Sequence, residues 1–115
     1  MWQQLAVMST SLYPALHRFH HTHYYASETN MDDVRDMAIA DGDRWWDYMD
    51  GQLDPCLSGA TPMAADFYLF MMTRWAPDRD RMLDGRSSLA AFIDSMRLHP
   101  TVDNVTQSHG RPSDS

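Results

Sequence analysis

A single cysteine, Cys56, leaves no partner for an internal disulfide and is compatible with a reducing compartment. Basic residues are also scarce, nine Lys and Arg against sixteen Asp and Glu, for a net charge of −7. Affinity for phosphate backbones rests on clustered cations, so nucleic acid is excluded as a partner. Long apolar runs are missing. No stretch approaches the ~20 residues needed to cross a bilayer, and the start MWQQLAVMST lacks the basic residues and extended apolar segment of a secretion signal. The expectation is a cytoplasmic protein without a membrane partner. Alternating strand patterns, internal repeats and interdomain linkers are absent too, which argues against β-sheet and multi-lobed architectures.

What the chain does have is ordinary globular composition. Its 115 residues are 43% hydrophobic and 22% charged, enough apolar material for one core in one domain. The apolar spacing is helical almost throughout. Leu5, Met8, Leu12, Leu16 and Phe19 fall on one stripe of a helix that starts near Trp2 and should kink at Pro14. A second helix is expected from Asn30, with Asn30 and Asp33 giving a cap-like signal and Val34, Ala38, Trp45, Tyr48 and Met49 forming its face. Gly51 and Pro55 should end it.

The segment MAADFYLFMMTRWA is apolar on nearly every side and predicts the central helix of the core, closed by Pro77. DRDRMLDG has no apolar period and predicts a surface loop. A fourth helix follows, capped by Ser87 or Ser88, striped by Leu89, Phe92, Ile93 and Met96, and stopped by Pro100. Val102 and Val105 suggest a short fifth helix from Thr101. The fold class is therefore all-α, a bundle of about five helices over residues 1–110, with 111–115 as a mobile tail.

The stretch GATPMAADFYLFMMTRW, Gly59 to Trp75, resembles the core helix of the glutathione transferase C-terminal domain. Gly59, Ala65 and Asp66 match its Gly and Ala-Asp positions, and the match continues through Tyr68, Leu69 and Phe70. Arg74-Trp75 is similar to the bacterial beta-class members. SLYPALHRFHH resembles the family's first helix, and LAAFIDSMRLHPTVDNV its last ones. The resemblance implies a glutathione transferase C-terminal-like helical bundle without the thioredoxin-like domain that holds glutathione and its activating residue. This chain alone should then bind no cofactor and be inactive, glutathione being the co-substrate of the full-length family. Its expected partners are a thioredoxin-like N-terminal domain or a second copy of itself, and a hydrophobic small molecule. The alternative is a non-catalytic helical interaction module.

The resemblance also implies an electrophile pocket. Tyr13 stands where the beta class has a His, and a phenol can donate a hydrogen bond but is a poor base at neutral pH. Trp75 matches the family's pocket tryptophan, and His17 joins them as the third expected lining residue. Cys56 matches no catalytic position and is read as packing. No catalytic residue is expected in this chain. His17, His20, His21 and His23 have spacings that can converge on zinc, but no carboxylate or thiol completes a closed tetrahedral set, so no metal is expected. Asp32, Asp33, Asp36, Asp41 and Asp43 are read as a solvated acidic face.

Two starts are conceivable for the core helix. Thr61 with Pro62 makes a good local cap. The family register instead places Met63 at the cap, with Asp66 reaching back to its N–H, and leaves Thr61 to support the preceding turn. The family register is the expectation adopted here.

Overall fold

The computed structural model describes residues 2–102, and these are all-α apart from loops. The elements are α1 (Trp2–Val7), a π-helical segment (Met8–Leu12), α2 (Tyr13–His20), 3₁₀ turns at Thr22–Tyr24 and Glu28–Asn30, α3 (Met31–Gln52), α4 (Ala64–Thr73), α5 (Arg79–Leu83) and α6 (Ser87–Arg97). No helix among the described residues is long and apolar enough to cross a membrane. The tail from 111 and most of the expected fifth helix lie outside the described residues; residues 100–102 form a helical turn with Val102 buried.

The effect of Pro14 is a widening rather than a break. Tyr13 donates its N–H to the carbonyl of Met8, five residues back, and the backbone stays right-handed helical on either side of the π segment. Proline has no N–H and its ring crowds the carbonyl four residues earlier, so one wide turn lets the helix run on through it. Met8, Leu12, Ala15 and Leu16 are buried along this helix.

On α3 the buried residues are Ala38, Gly42, Trp46 and Met49. The expected face was one residue out at its centre: Trp46 is buried while Trp45 is only partly so. Gly42, one turn earlier, lies beneath the Trp46 indole, and a Cβ there would sit in ordinary contact with it, 3.7 Å from Nε1. Asn30 occupies the cap position but makes no side-chain cap bond, its Oδ1 accepting instead from the Ser27 hydroxyl at 3.0 Å.

Helix α4 begins at Ala64 with Met63 at the cap. Asp66 is fully buried. Its Oδ2 accepts from the Met63 N–H at 2.9 Å and the Ser58 hydroxyl at 2.8 Å, and its Oδ1 accepts from the Leu57 N–H at 2.6 Å. The loop that presents Leu57 and Ser58 is closed by Cys56 and Gly59, whose backbones pair in both directions at 3.0 and 3.4 Å. Gly59 makes this turn with φ of +107°, a conformation that strains any residue carrying a Cβ. Thr61 is exposed and lies two residues outside the cap.

Residues 78–85 contradict the expected loop. Asp78 caps α5 by accepting the Arg81 N–H at 3.1 Å, and Met82 is buried in the core. A one-turn helix is too short to show a period, which is why the sequence pattern hid it. Neither Ser87 nor Ser88 is the cap of α6, because both are already helical and the cap position is Arg86. The cap arrives from elsewhere in the chain, with Asp50 of α3 accepting the Leu89 N–H at 2.8 Å.

The acidic face of α3 divides in two. Asp32, Asp33 and Asp36 are exposed, Asp32 pairing only locally with Arg35 at 3.4 Å, whereas Asp41 pairs with Arg18 at 2.5 Å, Asp43 with Arg81 at 2.7 Å and Asp47 with Arg86 at 2.7 Å. These contacts tie α2, α5 and the start of α6 to one helix. Arg86 is itself buried, and its guanidinium also donates to the carbonyls of Arg81, Met82 and Asp43 at 2.9–3.1 Å.

Candidate functional site

Tyr13, Leu16, His17, His20 and His21 follow the i, i+3, i+4, i+7, i+8 rule and so share one stripe of α2 and its end. Trp75, just past the C-terminal end of α4, faces that stripe. Together these six residues line a groove of about 290 Å³. A second cavity, between α2, α3 and α5 beside Trp46 and Met82, holds about 20 Å³, room for roughly one water.

Each wall of the groove is held in place. The Tyr13 ring lies 6.0 Å from that of Trp75, tilted by 60°, and stacks at 6.2 Å on the imidazole of His17. His20 fixes the opposite side by donating its Nε2–H to the Trp75 carbonyl at 2.6 Å, which joins the end of α4 to the end of α2. The Trp75 N–H is itself bonded to Met72 at 3.0 Å, continuing α4 by one turn and setting the direction of the indole.

The floor of the groove ends where α2 ends. Thr22 is buried and donates its hydroxyl to the carbonyls of Phe19 and Arg18, so the chain leaves the helix and folds back as a 3₁₀ turn. That return brings Tyr25 to His17, Oη to Nδ1 at 2.7 Å, and stacks Tyr24 on His21 with ring centres 5.3 Å apart and planes 3° from parallel.

The groove is aromatic and apolar on two sides with imidazole nitrogens and a phenol as its polar groups, and no carboxylate lines it. Such a surface suits a flat hydrophobic molecule bearing a few polar atoms. The lining contains no nucleophile paired with a base, which is what covalent catalysis requires. Cys56 lies in the loop before α4, at the opposite end from Trp75 of a helix whose ten residues span about 15 Å. Burial, and then the nearby Asp66 carboxylate, raise its pKa above the ordinary thiol value. The group is therefore held as a thiol.

The three residues expected from the sequence to line a pocket, Tyr13, His17 and Trp75, are brought together in this groove, although 62 positions separate the first from the last. Leu16, His20 and His21 were missed as lining residues, and their helical spacing from Tyr13 was the signal that could have found them. Tyr25 left no such signal, since it reaches His17 only through the turn at Thr22. Among the described residues, no group of three or more His, Cys, Asp or Glu side chains is arranged to hold a metal ion. No family model, curated protein or solved structure matches the chain.

Proposed function

We propose that this chain is the C-terminal, hydrophobic-ligand-binding half of a glutathione transferase-like protein, and that the α2/α4 groove is its electrophile pocket. The reading rests on the likeness of Gly59–Trp75 to that family. The observation that carries it is the meeting of Tyr13, His17 and Trp75 in one groove. In this reading the aromatic walls take up the electrophile, Tyr13 offers a phenolic proton to the reacting sulfur or leaving group, and glutathione with its activating residue comes from a thioredoxin-like partner domain. A second copy of the chain would be the other natural partner, as in family dimers.

Equilibrium dialysis of a chloronitrobenzene-type electrophile against the chain, with calorimetry of glutathione, tests this. The chain should retain the electrophile, and Trp75→Ala should weaken retention about tenfold, the ~1.4 kcal/mol expected for losing one aromatic wall. Millimolar glutathione should give no saturable heat. No retention, equal retention by Trp75→Ala, or saturable glutathione binding would each count against the reading.

A further inference from the structure

The end of α2 carries a pairing of imidazoles that hydrophobic contact in the groove does not by itself require. His17 and His21 are one helical turn apart, and their ring centres are 4.6 Å apart. Two imidazoles bound to one first-row ion through nitrogens at ~2.0–2.1 Å have ring centres roughly 4.5–5.2 Å apart for bond angles of about 90–110°. The pair already stands at that separation.

Both rings are also held. The Tyr25 hydroxyl lies 2.7 Å from Nδ1 of His17. When Nδ1 carries the proton and donates it to the phenol oxygen, the lone pair is left on Nε2, and this is the outer-shell arrangement that orients histidine ligands of metals. Tyr24, parallel to His21, fixes the second ring. Tyr24 and Tyr25 are both exposed, and they owe their positions to the 3₁₀ turn anchored by buried Thr22. Two tyrosines with little burial to gain are thus placed where they order two imidazoles.

We infer that His17 and His21 form a two-point chelate for a divalent first-row transition metal, Cu(II) binding most tightly and Zn(II) less so. The preference follows from imidazole ligands and the general affinity order of these ions. Among the described residues no third protein ligand joins the pair, which leaves the remaining positions to water or to a donor atom of a molecule in the groove, as in open metal sites. The chelate shares His17 with the proposed ligand groove but needs neither Trp75 nor any partner domain, so the two can fail separately.

The test is Cu(II) titration of the full chain, followed by calorimetry and by electron paramagnetic resonance, with circular dichroism as a check on folding. One equivalent should bind with coupling to two imidazole nitrogens. His17→Ala and His21→Ala should each lower the affinity at least tenfold. Tyr25→Phe, which keeps the ring but removes the oxygen that orients His17, should lower it several-fold. His99→Ala, whose imidazole packs on Phe67, should leave it unchanged. Failure to bind one equivalent, or an affinity insensitive to either His17→Ala or His21→Ala, would overturn the site; an unaffected Tyr25→Phe would overturn the orienting role of that hydroxyl.

Discussion

Asp66 shows how much of this fold can depend on one side chain. A fully buried carboxylate is costly unless its oxygens are satisfied, and here a helix cap, a loop amide and a hydroxyl converge on it. The same contacts explain why Gly59 is needed, since only its left-handed backbone turns Leu57 and Ser58 toward the helix start. Removing the carboxylate exposes the donors it paired, each costing ~1–3 kcal/mol when buried. Asp66→Ala should therefore lower the urea midpoint substantially, whereas Thr61→Ala, at an exposed position outside the cap, should change stability by no more than ~0.5 kcal/mol. Chemical denaturation of the two variants checks this, and the reverse ranking would mean that Thr61 and not Asp66 sets the start of α4.

At the scale of elements, what periodicity could reveal was visible in advance and what depends on distant partners was not. The first helix, α3, the core helix and α6 all follow from their apolar spacing. The choice between Trp45 and Trp46 could not be made that way, because the two indoles are adjacent in sequence and only the packing of α3 in the core buries Trp46. α5 was invisible for want of length, and the cap of α6 because Asp50 lies 39 residues from Leu89. Half of the groove was legible through likeness to a known pattern, and its remaining α2 residues through the helical stripe. Tyr25 was not, since its contact with His17 depends on a 3₁₀ turn.

Arg86 is the clearest of these long-range ties. It is buried at the cap position of α6 and bonds three carbonyls, two of them in α5, as well as Asp47. Asp47 is largely exposed, so its own loss should cost less than ~1 kcal/mol, as for surface ion pairs. Arg86→Ala leaves several carbonyls without donors and should cost ~2–4 kcal/mol. Thermal unfolding of Arg86→Ala and Asp47→Ala should show that difference, and similar shifts for the two would reduce Arg86 to half of an ion pair.

For the molecule as a whole, the described residues form a helical core with a groove on its outside. The core is filled by Leu12, Met49, Leu69, Met72, Leu89 and Phe92 with their neighbours, and a water-sized void lies beside Trp46. The larger space lies between the end of α4 and one stripe of α2, where five side chains along that helix and its end face a single tryptophan from another. In the proposed function, ligand binds in that groove. The most direct measurement is an amide ¹H–¹⁵N correlation spectrum of the chain titrated with a chloronitrobenzene-type electrophile. Saturable shifts should concentrate at residues 13–21 and 74–76, and shifts confined to the amides around Trp46 and Arg81, or no saturable shifts at all, would contradict it.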